Sequence, residues 1–419
     1  MIAVYSEADA GLPFVAEADD AVLIGPAPAV KSYLNADAIL AAAASTGAAA
    51  IHPGYGFLAE NAAFARQVIR AGLTWVGPSP EAIEQMGDKI SARNLMAQAG
   101  VPVAPGSSEP VHDADEALAE AKRIGYPVMI KAAAGGGGIG MTVAADDAQL
   151  RAGFDTTRTR AERFFGSPSI LLERYVASAR HVEVQILGLA DGRVIALGER
   201  DCSAQRRHQK VAEETPSPGV GQALRETMLA AAVRAGEAVG YRGAGTVECL
   251  LDTETGRFVF LEMNTRLQVE HPVTEMVTGI DLVEQQLLIA DGAEVSFDPA
   301  AVHPAGHALE LRVYAEDPVR FLPSPGTITE WREPSGPGVR VDAGYAAGNV
   351  VTPHYDPLLA KLIAHGSDRG EALSRMRAAV AGFAVSGPKT NLAFHSDLLD
   401  SEEFASGNYD TAVVSRLRP

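Results

Sequence analysis

Cysteine is nearly missing from this sequence: Cys202 and Cys249 are its only two, far apart and in no metal-ligand spacing. Their scarcity excludes a disulfide scaffold and a thiolate zinc site, and it suits a reducing cytoplasm. Positive charge is also scarce. Against 53 Asp and Glu stand 35 Lys and Arg, a formal net charge of −18, and only seven of the basic residues are lysine. Such a balance excludes a nucleic-acid footprint and argues against docking on an anionic membrane. No apolar run approaches the roughly 20 residues of a membrane span. The opening MIAVYSEADAG carries neither a basic n-region nor a signal-peptide core. Internal repeats and low-complexity segments are absent as well. What is present is 419 residues, 47% of them hydrophobic, enough to bury a large core divided among about two to four domains. A soluble cytoplasmic enzyme is the expectation.

Short apolar strands open the chain at Ile2–Tyr5, Ala21–Ile24, Ala48–Ile51 and Thr74–Val76, with helical patterns over Ala36–Thr46 and Asn61–Ala71. Alternation at this spacing predicts a parallel, doubly wound sheet. His52-Pro53-Gly54-Tyr55-Gly56-Phe57 follows the third strand, where such sheets place ligand loops. A helical linker with Met86-Gly87-Asp88-Lys89 follows, and then a smaller unit with a strand ending at Lys131 and a run carrying Gly135, Gly136, Gly137 and Gly138. That run formally satisfies G-x-G-x-x-G, but a strand resumes after it, so the dinucleotide fingerprint does not apply. No Gly-Lys-Ser/Thr follows, which excludes a Walker-type loop. A glycine hairpin whose N–H groups close over phosphates, with Lys131 at its base, remains beside the plainer reading of a linker.

Arg180–Ile186 alternates strictly, placing His181, Glu183 and Gln185 on one face. Gln205-Arg206-Arg207-His208-Gln209-Lys210 is the densest basic cluster of an acidic protein. Such a run is usually solvated, yet three of the seven lysines, Lys89, Lys131 and Lys210, fall in or beside candidate anion loops. The most informative stretch is Phe258–Glu275. Its apolar strand delivers Glu262, Asn264, Arg266, Gln268, Glu270 and His271 in quick succession. Upstream, GTVECLL carries Glu248, and Asp252–Gly256 joins the two strands as a hairpin, so Glu248 and Glu262 are expected side by side. Paired carboxylates with an amide oxygen nearby suit Mg²⁺ or Mn²⁺. An arginine and several carboxylates beside so apolar a strand point to an active site rather than a polar surface hairpin.

With these residues in view, the chain resembles the biotin carboxylases, the ATP-grasp components of acetyl-, propionyl- and pyruvate-type carboxylases. The stretches that carry the resemblance run collinearly to about Asn391: HPGYGFLAEN, MGDK, KAAAGGGGIGM, RHVEVQ, ERDCSAQRRHQK, GYRGAGTVE, EMNTRLQVEHPVTE, RVYAEDP and FLPSPG. RRHQK together with NTRLQVEHPVTE is the narrow signal. The resemblance implies an ATP-grasp α/β fold with an N-terminal doubly wound domain over 1–77 and a helical linker over 78–104. A glycine-flap lid over 105–176 and a large mixed catalytic and C-terminal part over 177–419 complete it. It implies that ATP is held by Lys89, Lys131, the glycine flap, Glu173, Val176, His181, Gln205, His208 and Leu250, and the metal by Glu248, Glu262 and Asn264. Bicarbonate would meet Lys210, Arg266, Gln268 and Val269, with Glu270 as base, and biotin would meet Arg312 with Asp356 nearby.

Three departures and their consequences belong to the same expectation. The family opens with a strand, a glycine-bearing loop and a helix that would precede Ile2, which predicts an incomplete first domain. Ile139 replaces a common basic residue of the flap, and Ala133 and Ala134 stand where serine and glycine are common. No lysine sits in a Met-Lys-Met context, so the biotin carrier protein is expected to be another chain, as is the carboxyltransferase. A homodimer is expected by the same resemblance. The alternatives are another ATP-grasp ligase forming an acyl phosphate and a catalytically impaired scaffold.

Overall fold

The computed structural model of the chain describes residues 1–133 and 141–418. Strands β1 (Ile2–Ser6) and β2 (Asp20–Gly25) run parallel, joined through the short helix α1 (Pro13–Glu17). Helix α2 (Ala36–Thr46) leads to β3 (Ala50–Ile51), and α3 (Ala62–Arg70) leads to β4 (Thr74–Trp75), a second parallel pair. Asn35 and Asn61 start these helices, each side chain accepting the amide N–H three residues on. Alternation and strand direction are as expected, and among the described residues no ladder joins the two pairs. β3 and β4 have two residues each, too few for a continuous ladder. Side-chain packing holds this part instead, around Phe64, Val68, Trp75 and Ile83.

Helices α4 (Pro80–Gly87) and α5 (Lys89–Gln98) follow, the second capped by the Asp88 carboxylate. Helix α6 (Ala114–Ile124), strands β5 (Val128–Ala132) and β6 (Thr142–Ala144), helix α7 (Asp147–Phe165) and strand β7 (Ile170–Arg174) form a small unit on the sheet order β6-β5-β7. Alternation along β5 buries Val128, Ile130 and Ala132 in its core, leaving Lys131 on the other face. The expected flap residues Gly135, Gly136, Gly137, Gly138 and Ile139 lie outside the described residues.

The catalytic expectations converge on one eight-stranded antiparallel sheet. Along the chain come β8 (Ala179–Gly188), β9 (Val194–Arg206), β10 (Gln209–Thr215), helix α8 (Gln222–Ala238), β11 (Gly243–Asp252) and β12 (Phe258–Asn264). Helices α9 (His271–Thr278) and α10 (Leu282–Asp291) precede β13 (His307–Tyr314). Short strands β14 (Gly326–Thr327) and β15 (Glu330–Arg332) lie before β16 (Val339–Ala343), and β17 (Val350–Val351) before β18 (Leu358–Gly366). Helix α11 (Arg369–Gly382) and β19 (Ala384–Ser386) follow. The sheet order is β12-β11-β8-β9-β10-β13-β18-β16. On β13 the odd residues Leu309, Leu311 and Val313 pack with Leu373 and Met376 of α11. The even side turns Ala308 to Val273 and Val277 of α9, so Glu310 and Arg312 share the face beneath that helix.

Candidate active site

The β11–β12 hairpin places Glu248 directly opposite Glu262, as the alternation predicts. A register shift after Glu248 marks a bulge, a device that re-aims side chains near functional sites. On the other side of β11, Glu248 stands opposite Glu183 of β8, and Leu250 opposite His181. The alternating face of β8 thus meets the hairpin's carboxylates.

Lys210 is the hub. Its ammonium donates to Glu183 at 2.6 Å, Glu248 at 2.9 Å and Glu270 at 2.6 Å. Burial alone would lower its proton affinity, but these three carboxylates outweigh burial and hold Lys210 well above the usual lysine range. Glu270 precedes α9 and is fully buried. It accepts from Lys210 and from Arg312 Nη2 at 2.8 Å, with the Cys202 thiol 3.8 Å away. Burial pushes its carboxyl up, yet Lys210, Arg312 and Arg200 prevail and keep it well below the carboxylate range. Burial and the Glu270 charge push Glu183 upward, while Glu248 is held low chiefly by Lys210 and His181 against burial. Two neighbouring groups split into an ionised base and a harder-to-ionise carboxyl, a pattern that marks acid–base sites.

Arg266 ties the end of β12 to Glu60. It donates to Glu60 at 2.8 Å, Asn264 at 2.8 Å and Gln268 at 3.0 Å, and Gln268 donates onward to Glu248 at 2.9 Å. Glu60 comes from the stretch after the His52–Phe57 loop and also accepts the Thr265 amide. Lys361 of β18 donates to the Val269 carbonyl at 3.1 Å, fixing that peptide. On the nucleotide side, Lys131 pairs with Glu173, and Lys89 lies 3.6 Å from Glu262. His181 bonds Gln205 at 2.7 Å and lies 2.9 Å from Glu248. Arg207 and His208 form a two-residue turn between β9 and β10, both with positive φ, of 50° and 69°. Val176 lies in the link between β7 and β8. Asp356 accepts the Leu358 amide, its carboxyl raised by burial against the charges of Arg312 and Arg206. A cleft of about 180 Å³ is lined by Glu60, Met86, Lys89, Glu262 and Asn264.

Against known proteins, the sequence matches the models of the biotin carboxylase N-terminal domain over 1–83 and the biotin carboxylase C-terminal domain over 310–416. Residues 88–297 match the carbamoyl-phosphate synthase L chain ATP-binding domain. It is 53% identical over 416 residues to the biotin carboxylase of Pseudomonas aeruginosa, covering 99% of this chain and 92% of that one. The chain belongs to the biotin carboxylase family. Among solved biotin carboxylase structures, the β,γ-ATP complex from Campylobacter jejuni superposes with a TM-score of 0.96 at 43% identity, covering 99% of this chain and 93% of that one. The Hydrogenobacter thermophilus 2-oxoglutarate carboxylase biotin carboxylase domain dimer, with MgADP, ADP and bicarbonate, gives 0.95 at 42%, covering 99% and 91%. Among the described residues, no helix is long and apolar enough to cross a membrane.

For a biotin carboxylase site the donor set is coherent. Glu248, Glu262 and Asn264 offer only carboxylate and amide oxygens on adjacent strands, which fits a hard divalent cation. Two other groupings, His181 with Glu183 and Glu248, and Glu183 with Cys202 and Glu270, also come close enough to hold an ion, but each brings in a histidine or thiol that a hard divalent cation disfavours. Sequence reasoning missed Glu60, Arg200, Glu213 and Lys361 as partners of the expected residues. Glu60 and Arg200 had a visible signal, lying within the quoted HPGYGFLAEN and ERDCSAQRRHQK stretches.

Proposed function

We propose that this chain carboxylates biotin on a separate carrier protein, using ATP and bicarbonate through carboxyphosphate. The observation that carries this reading is Glu270, an ionised carboxylate buried between Lys210 and Arg312 and followed by α9. A base must stay charged in a dry site, and two cations in contact accomplish that. Bicarbonate brought between Lys210, Arg266 and Gln268, against the Val269 peptide, presents its hydroxyl to Glu270. The deprotonated oxygen attacks the γ-phosphorus and ADP leaves. Carboxyphosphate then divides into CO₂ and phosphate, the phosphate takes the biotin N1 proton, and N1 attacks CO₂. In this reading Arg312 stabilises the developing enolate charge of biotin, with Asp356 nearby.

Lys89, Lys131, Glu173, Val176, His181, Gln205, His208 and Leu250 hold ATP in this reading, together with the glycine flap from Gly135 to Gly138. Glu248, Glu262 and Asn264 would hold Mg²⁺ or Mn²⁺, which neutralises charge on the transferring phosphate when bound. The same reading divides the chain at 77, 104 and 176, makes the carboxyltransferase a separate subunit and makes the protein a cytoplasmic homodimer. The test is ATP cleavage by the purified chain with and without bicarbonate and free biotin. Turnover that needs both supports the proposal; turnover that instead needs an amine, or no turnover under any of these conditions, overturns it.

A further inference from the structure

Beneath α9 the sheet carries charged side chains where a core would be apolar. Arg312 of β13 stands opposite Lys361 of β18, which stands opposite Asp342 of β16. Glu310, two residues before Arg312, stands opposite Glu213 of β10. Each other buried carboxyl here has a donor. Glu183 accepts from Arg200 and Lys210, Glu248 from Lys210 and Gln268, Glu270 from Lys210 and Arg312, and Glu213 from Arg312 Nε at 2.7 Å. Among the described residues, Glu310 has none on either oxygen, although it is fully buried. Lys361 is turned away to the Val269 carbonyl and to Asp342. The second oxygen of Glu213 is also buried without a donor among the described residues.

A bare buried carboxylate costs several kcal/mol, whereas a neutral acid costs less and brings a proton to donate. The neighbouring acceptor in need of a donor is Glu213 Oε2. We propose that Glu310 is a positioning residue: a carboxylic acid that donates to Glu213 and so fixes the carboxylate from which Arg312 is aimed at Glu270. Burial pushes Glu310 well above the carboxylate range, with the Glu213 charge adding and Lys361 opposing. Held on Glu213 through Nε, the guanidinium presents Nη2 to Glu270. A Glu213 without this donor turns and takes Arg312 with it. The inference rests on the biotin carboxylase reading of Arg312, which the parent chain's own turnover decides separately.

The test compares the full chain with Glu310→Gln, Glu310→Met and Glu310→Asp. Gln keeps a neutral donor of the same size, so bicarbonate- and biotin-dependent ATP cleavage should stay within about 3-fold of the parent. Met fills the volume without donating, so kcat should fall on the order of 10²-fold while ATP binding by calorimetry is unchanged. Asp keeps the acid but shortens its reach, so kcat should also fall even if the Met variant fails to fold. A Met or Asp variant with full kcat, or a folded Gln variant with none, overturns the proposal. Infrared difference spectra provide a readout that needs no turnover: at about pH 9, above the range in which Glu213 titrates, the parent should show a protonated-carboxyl band that Glu310→Gln lacks. If that band is missing from the parent, the proposal fails.

Discussion

At the scale of single residues, the site is a contest between desolvation and paired charge. Glu270 keeps its charge because Lys210 and Arg312 touch it, so its working form persists over the whole physiological range. Glu270→Gln keeps the size and removes the charge. ATP binding should be unchanged while bicarbonate-dependent turnover falls roughly 10²-fold or more; near-normal turnover would remove Glu270 from its role. Lys361 acts one step further out, through the Val269 carbonyl. Lys361→Met frees that peptide, and losing one charge-assisted bond on the order of 1.5 kcal/mol should raise the bicarbonate KM about 10-fold with a smaller change in kcat. Steady-state kinetics at varied bicarbonate separates the two parameters, and an unmoved KM would show that the Val269 peptide is held without Lys361.

At the scale of elements, the β9–β10 turn stores strain at a useful place. Two-residue hairpin loops with positive φ at both positions favour Asn-Gly, whereas Arg207 and His208 occupy this one. Each such residue costs about 1 kcal/mol or more. The double variant Arg207→Asn, His208→Gly should therefore raise Tm by a few degrees and weaken ATP binding, both readable by calorimetry; a lower Tm would mean the turn is not strained. The turn also explains what the sequence hid. Gln205–Lys210 reads as one basic run, but the reversal sends Lys210 inward to Glu183 while Arg207 stays exposed. By contrast, the β11–β12 hairpin was legible because its apolar alternation, its Asp252–Gly256 turn and its carboxylates are all local. Which carboxylates meet Lys210 depends on the pairing of β8 with β11, across more than 50 residues of chain. The long helices α7 and α8 left little trace. The first is largely polar and the second is alanine-rich, so the apolar stripe each buries, Leu150, Phe154 and Ala161 in α7 and Met228, Ala232 and Ala235 in α8, is thin against its surroundings.

At the scale of the whole molecule, stability and chemistry meet in the same buried charges. Burial lifts the Glu213 carboxyl to about 7 despite the Arg312 guanidinium. A carboxyl bound more tightly to its proton in the fold than in the unfolded chain stabilises most at low pH. Its contribution is complete below about 4.5 and is lost as pH rises through about 7. Glu214 runs oppositely: hydrogen bonds from His307 and Arg369 overcome burial and hold it at about 2, so its contribution fades only in strong acid. Glu213→Gln should therefore remove a loss of about 3 kcal/mol between those two Glu213 values, read as a flatter Tm against pH. A variant as pH-dependent as its parent would refute this. The scarcity of lysine takes on a further meaning here. A protein that liberates CO₂ inside itself endangers its own amines, because a neutral amine adds to CO₂ and becomes a carbamate. Lys89, Lys131, Lys210 and Lys361 each lie against a carboxylate, and Lys210 is held as an ammonium with no lone pair to give. In the proposed reaction, the carboxylates that position Lys210 would also keep it inert towards the CO₂ released beside it.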